Sequence, residues 1–258
     1  MNLLTLSLGL LAVGPASVGS TQDTPLTKSV PELSLRLTRG DLWSGELSQR
    51  FFASGVEDDG QKFAFRVEYH VAQAGRQEYS IDMAILFRES WLGDTRVPPP
   101  DDIKPMRAAV RWLRVGWRTP KSKRLDDPIE YRLERLTWFV APQGGERKGA
   151  EPAWSARFSG KEGGSVPDAR AEFRYLKAGS WRDRPAAWVA VRFTELDIDR
   201  PMLGEGEAIV DLASGVLLEL SLDVKNAPVP GGDGGLSELS LAWKVESLKL
   251  SSSPEARS

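Results

Sequence analysis

GEGEAIVDLASGVLLELSLDVK, Gly204 to Lys225, is the stretch whose reading decides the fold. Ala208, Val210 and Leu212 alternate with Glu207, Ile209 and Asp211, and beyond Gly215 the residues Leu218, Leu220, Leu222 and Val224 alternate with Glu219, Ser221, Asp223 and Lys225. A period of two on both sides of a short loop is the pattern of an antiparallel hairpin with one face buried. The loop, Asp211 to Gly215, suits a type I turn that closes on a left-handed residue, a conformation that costs glycine almost nothing. This hairpin specifies β structure and carries no chemistry.

The same alternation extends outward. Leu239, Leu241, Trp243 and Val245 follow it, and the inward set then switches parity to Leu248 and Leu250, which implies a bulge near Ser247. Upstream, Trp154–Ser159, Ala169–Lys177 and Ala186–Ile198 read as strands, the last pair joined by a turn at Gly179–Pro185, and Glu130–Val140 reads as another. Nearer the start, Leu33, Leu35 and Leu37 mark a first strand. Leu47–Ala53 and Lys62–Ala72 flank a hairpin loop at Glu57-Asp58-Asp59-Gly60, and Gln77–Phe87 turns Tyr79, Ile81, Met83, Ile85 and Phe87 inward. Met106–Trp117 fits a helical stripe or a strand; its β neighbours and the poor helix propensity of Val, Trp and Gly116 favour the strand. About ten to thirteen strands result, so the fold is expected to be mainly all-β: a strongly curved antiparallel sheet, an incomplete barrel or a sandwich.

Length and composition bound the rest. The chain has 258 residues, 41% of them hydrophobic and 27% charged, ordinary values for a folded globular protein. A net charge of −2 provides no global field to recruit nucleic acid. Leu3–Val13 is apolar, too short to span a bilayer, and is followed by small residues at Pro15–Ser20, so residues 1–20 are expected to be a signal peptide. The expected product is an exported protein, periplasmic or extracellular, with no transmembrane span in the mature chain. Residues 21–31 read as a linker, 32–250 as a single β-rich domain or two lobes divided near 97–105, and 251–258 as a disordered tail. With no cysteine, the chain has neither disulfides nor thiolate chemistry, and no residue for acylation at a cleavage site.

Two groups of residues resemble uncharacterised exported β-rich bacterial proteins: Leu33-x-Leu35-x-Leu37-x-x-Gly40-Asp41, and Gly204-x-Gly206-x(4)-Asp211-x(3)-Gly215. The resemblance implies export and a curved antiparallel sheet, and it brings no activity and no functional residues.

Candidate sites are few. His70, the single histidine, falls in strand phase with Arg66 and Glu68 on a polar face, which excludes a multi-histidine metal site. Glu195, Asp197 and Asp199, with Glu205, Glu207 and Asp211 close behind, read as a solvated strand face; as alternatives they offer hard oxygen ligands or an acid/base pair for glycoside cleavage. No Gly-rich phosphate cradle follows a strand and no nucleophile elbow is present, so no cofactor is expected. Lys104–Arg124 holds eight basic residues and no acid. Within it Arg107, Arg111 and Arg114, interleaved with Trp112 and Trp117, form the best candidate ligand surface, suited to anionic groups on a glycan, lipid or polymer. Of nine tryptophans, Trp188 and Trp243 have core-like phases, whereas Trp91 and Trp181 sit beside turns and are expected to be exposed ligand contacts. The leading expectation is a non-enzymatic binder of an apolar or amphiphilic ligand, or of a protein partner, on a concave sheet. The alternative is a glycan-binding module or a carboxylate-dependent glycosidase.

Overall fold

Residues 31–52, 60–76, 78–98, 106–113, 116–117, 127–142, 153–161, 165–229 and 235–251 are described by the structure, a computed structural model. The strands are β1 (Leu42–Phe52), β2 (Gln61–Ala74), β3 (Glu78–Leu92), β4 (Thr95–Val97), β5 (Met106–Leu113), β6 (Gly116–Trp117), β7 (Ala153–Phe158), β8 (Ala169–Trp181), β9 (Arg184–Glu195), β10 (Leu203–Asp211), β11 (Leu217–Pro228) and β12 (Leu236–Lys249). They form one antiparallel sheet in the order β6-β5-β3-β2-β1-β12-β11-β10-β9-β8-β7, with β4 folded back on β3. The sheet is not closed into a barrel.

The quoted hairpin is β10–β11, with Ala208 opposite Leu220 and Gly206 opposite Leu222. Gly215 closes its turn at φ +74°, and its N–H donates to the Asp211 carbonyl (2.8 Å). Any side chain there would also overlap the Ser34 carbonyl, so glycine is required twice over. The parity switch in β12 is a bulge: Ser44 faces Ser247 and Gly45 faces Val245, leaving Glu246 as the extra residue. Met106–Leu113 is a strand, as its neighbours favoured, and it pairs with β3. The sheet therefore continues across the proline-rich break, part of which, 99–105, lies outside the described residues, as do 1–30 and 252–258.

Curvature follows from one local contact. The Arg36 N–H donates to the Ser214 carbonyl (2.8 Å), while the next N–H, on Leu37, donates to the Tyr79 hydroxyl (3.2 Å). Ser214 lies in the β10–β11 turn and Tyr79 on β3, four strand spacings away through β12, β1 and β2. On a flat sheet that separation would be roughly 19 Å. Two adjacent residues bridge it, so the sheet wraps into a trough.

Two expected strands take other forms. Leu33–Thr38 buries Leu33, Leu35 and Leu37 in the alternating phase read from sequence, but it pairs with no strand and lies as a strap across the end of the trough. Glu130–Val140 is not a strand. It contains most of helix α1 (Pro128–Glu134), then a 3-10 turn (Arg135–Thr137) and an extended run. Asp127 caps the helix, its carboxylate accepting from the Ile129 and Glu130 N–H groups (2.7 and 3.0 Å), and Pro128 opens it. Helix formation turns Tyr131, Leu133, Arg135 and Leu136 toward the sheet.

Candidate functional site

Among the described residues, the inner face of the trough divides into a filled half and an open half. Over β7–β11 it is filled by residues 127–142. Leu136 packs above Gly204 beside Phe193 and Val224, Trp138 meets Phe158 edge-on (5.4 Å between centroids), and Phe139 meets Phe173 (5.1 Å). The Trp154 indole N–H donates to the Val140 carbonyl (2.7 Å). Ion pairing locks this segment down: Glu195 accepts both Nε and Nη2 of Arg132 (2.8 and 2.6 Å) and Nη2 of Arg135 (3.0 Å). Arg135 also donates to the Pro167 carbonyl (2.7 Å) and lies 5.7 Å from the Phe193 ring centroid. Burial pulls its proton affinity down, opposed by the charge of Glu195.

Across β1, β2, β3 and β5 the same face is only partly covered. Its floor is an aromatic cluster in which Trp43 stacks on Tyr69 (5.0 Å) and Trp112 tilts against both (5.4 and 5.3 Å), while Tyr69 meets Trp243 edge-on (6.0 Å). From there a second series runs along the strands: Phe51 to Phe63, Phe63 to Phe65 and Phe65 to Phe87, at 6.2, 6.3 and 5.7 Å. Leu47, Phe63, Phe65, Ile85, Phe87 and Met106 are half-buried here, while Val67, Val71, Ile81, Met83 and Val110 in the same phase of these strands are buried.

Glu134 is the last residue of α1. Its Oε2 is buried and makes no hydrogen bond. Burial, with the charge of Glu130 adding and that of Lys161 opposing, pushes its carboxyl up to about 8. Burial first and the charge of Glu134 second raise the Tyr69 phenol above its usual range.

The candidate residues read from sequence do not assemble. Arg107 is exposed, but Trp112 is 2% exposed in the aromatic floor, because alternate positions of β5 face opposite sides of the sheet. Arg111 occupies a register position opposite Ser80 on β3, and Trp117 one opposite Trp112; nothing of their side chains is described. Arg114 lies outside the described residues, as do 118–124. Trp91 is half-buried near the tip of β3. Trp181 is a correction: it is 9% exposed at the tip of β8, beneath the Arg182 guanidinium (4.5 Å), and Arg182 donates to the Val245 carbonyl (3.2 Å). The curl of the sheet brings that tip onto β12 and covers the indole. Register places Trp91 and Trp181 at opposite ends of the strands, so they share no surface.

Two further expectations change. Trp188 is half-buried rather than core, with Gly179 against its ring and the Lys177 ammonium 5.2 Å from its centroid. Glu195 and Asp211 do not belong to a solvated face. Glu195 is held as described, and Asp211 binds Arg184 (3.0 and 3.3 Å) and both the N–H and hydroxyl of Ser214 (2.9 and 2.6 Å). Asp197 and Asp199 are exposed. His70 is exposed, its Nδ1 3.7 Å from Asp82. Among the described residues no group of three His, Cys, Asp or Glu side chains is placed to hold a metal.

Fold and site together define an open, curved antiparallel sheet whose inner face is filled on one side by its own helix and carries on the other a row of half-buried aromatic and aliphatic side chains. No protein-family model matches the chain, and no curated protein matches it in sequence. Among solved structures, the chain is similar to a protein assigned as a lipoprotein from Parabacteroides distasonis, at 10% identity and TM-score 0.37 over 86% of this chain and 100% of that one. It is also similar to a protein of Bacteroides fragilis assigned as exported with a YmcC-like fold, at 6% identity and TM-score 0.33 over 83% of this chain and 100% of that one. A LolA superfamily protein from Nitrosomonas europaea matches at 12% identity and TM-score 0.19, over 85% and 90% of the two chains. At these scores none of the three carries an argument about function.

Proposed function

We propose that the protein is exported and acts without chemistry, holding an apolar or amphiphilic ligand in the open half of its trough. One observation carries this reading: Leu47, Phe63, Phe65, Ile85, Phe87 and Met106 form a continuous half-buried row on the inner face of β1, β2, β3 and β5. A row of that size facing inward, without a protein segment over it among the described residues, matches the lining of a pocket for hydrocarbon. The export element rests on the apolar run at Leu3–Val13. Of the six carboxylates of the acid/base alternative, Glu195 and Asp211 are engaged by arginines and backbone N–H groups.

Purified protein extracted with organic solvent is expected to release a lipid-like species by mass spectrometry. The emptied protein should then bind the apolar fluorophore N-phenyl-1-naphthylamine with blue-shifted emission. Phe65→Glu, which places a charge in the row, should weaken that binding at least tenfold while leaving the far-ultraviolet spectrum unchanged. Neither an extracted species nor fluorophore binding would sink the proposal.

A further inference from the structure

We infer that the protein docks on a zwitterionic lipid bilayer through the end of the trough where β1, β3 and β9 finish and β2, β10 and β12 begin. This deepens the preceding proposal by naming the surface from which the row is filled, and it rests on the reading that the row takes an apolar chain. Seven large hydrophobic residues are exposed among the described residues, and five of them, Leu92, Val97, Ile198, Leu203 and Leu236, lie at this end. Register fixes the placement. Leu92 is opposite Gln61 at the start of β2, Leu203 opposite Thr194 near the end of β9, and Leu236 opposite Pro228 at the end of β11. Of the other two, Leu42 stands at the far end of β1 and Leu176 at a bulge midway along β8. Single exposed apolar residues are ordinary, but their gathering on one rim marks a contact surface.

The rim is also where the row comes out. Ser90 lies opposite Phe63 on β2 and Val97 on β4, and directly opposed residues share a face. Val97, and Leu92 two positions beyond Ser90, therefore continue the inner face past Phe65 and Phe63; they are 40% and 61% exposed. The far end is covered by Leu33–Thr38, which is bonded to Ser214 and Tyr79 and buries three leucines. A hydrocarbon chain in the row thus has its outlet beside Leu92 and Val97, and whatever meets that outlet has to hold the chain before it enters. A bilayer does so. The exposed side chains come from three separate junctions, β3–β4, β9–β10 and β11–β12, which suits a fluid medium better than a shaped protein surface. Charge decides the kind of bilayer. On the outer face Trp91 stands in register between Lys62 and Arg96, both exposed, an aromatic ring flanked by cations as at headgroup level. Arg96 also lies 3.5 Å from Glu89, and Asp94, Asp197 and Asp199 are exposed on the same rim. Charges of both signs match a headgroup that bears both, and they give an anionic surface little to attract.

Co-sedimentation with phosphatidylcholine vesicles tests this. The protein is expected to bind them, to gain no more than about twofold when phosphatidylglycerol is added, and to lose about tenfold in partitioning on Leu92→Asp. Leu236→Asp, which lies off the row, should weaken binding in the same direction. The chain has no cysteine, so Leu92→Cys and Leu42→Cys each take a single nitrobenzoxadiazole label. Vesicles should shift the emission of the Leu92→Cys label to the blue and leave the Leu42→Cys label unchanged, a readout that stands even if the aspartate variants fail to fold. Phe65→Glu, inside the row, should lose N-phenyl-1-naphthylamine and keep its hold on vesicles. No vesicle binding by protein that still takes the fluorophore, equal shifts of the two labels, or binding that requires phosphatidylglycerol overturns the docking and leaves the pocket reading standing. A dimer in light scattering that Leu92→Asp disperses also overturns it, because the rim then belongs to a second copy. Vesicle binding through the Leu92→Cys end without any fluorophore binding supports the rim and sinks the pocket reading instead.

Discussion

Glu195 accepts four hydrogen bonds: three from Arg132 and Arg135, and a fourth from the Met202 N–H (3.0 Å). Glu134, next to Arg135 in the chain, has a buried oxygen that accepts none. The contrast has a thermodynamic consequence. Folding raises the Glu134 carboxyl from 4.5 to about 8, so between those values the native state holds a proton that the unfolded chain has lost. Stability from this group is therefore at its fullest below pH 4.5 and falls as pH rises toward about 8. Glu134→Gln cannot ionise and should erase that slope. In urea titrations, the variant's midpoint is expected to match the parent near pH 4.5 and exceed it at pH 8.5; identical pH profiles would show the carboxyl to be solvated. Neither carboxylate's role was legible beforehand. Glu195 sits in phase with Asp197 and Asp199 and reads as a wet face, but the strand ends at Glu195 and Asp197 turns to φ +57°. Its arginine partners lie 63 and 60 residues upstream, a distance no local pattern reports.

At the scale of elements, period two was informative wherever a strand has one covered face, which is why β2, β3, β9, β10, β11 and β12 were legible. It misled twice, for different reasons. Leu33, Leu35 and Leu37 alternate because an extended strap buries every second residue, with or without a ladder beside it. Tyr131, Leu133 and Arg135 alternate by coincidence; the overriding signal was Asp127-Pro128, a cap and a first-turn proline, which fixes a helix start irrespective of the residues downstream. The strap's attachment can be tested directly. The Tyr79 hydroxyl donates to the Leu35 carbonyl (3.0 Å) and accepts from the Leu37 N–H (3.2 Å), both buried. Tyr79→Phe leaves those two backbone groups unpaired and should cost about 1–3 kcal/mol of stability. Denaturant unfolding measures it, and a change under about 0.5 kcal/mol would mean that the strap is not held by this residue.

At the scale of the whole molecule, the first and last strands close on each other in the middle of the sheet, while its edges, β6 and β7, do not pair. β1, the first strand, lies between β2 and the last strand, β12, in a run of pairing from Leu42 opposite Lys249 to Phe52 opposite Glu238. The two sequence groups that resemble exported bacterial proteins meet at this closure. Leu33–Leu37 is the strap, Asp41 ties it to Ser251, and Gly215 is the turn residue pressed under Ser34; a side chain at Gly206 would overlap the Ser221 carbonyl of the neighbouring strand. These residues serve the architecture, which explains why they disclosed the fold and nothing of the ligand. The ligand-facing row was invisible for the converse reason: Phe63, Phe65 and Phe87 satisfy the inward pattern whether or not anything covers them. This topology also predicts how the protein unfolds. Separation into lobes near 97–105 would strip β5 from β3, and separation at the centre would break the β1–β12 ladder, so no cut spares a long run of backbone hydrogen bonds. Although chains of this length commonly unfold through intermediates, far-ultraviolet circular dichroism and tryptophan fluorescence should here report one coincident transition in urea. Two separated transitions would show that the helix-filled half and the open half are independent units, and that the continuous sheet does not couple them.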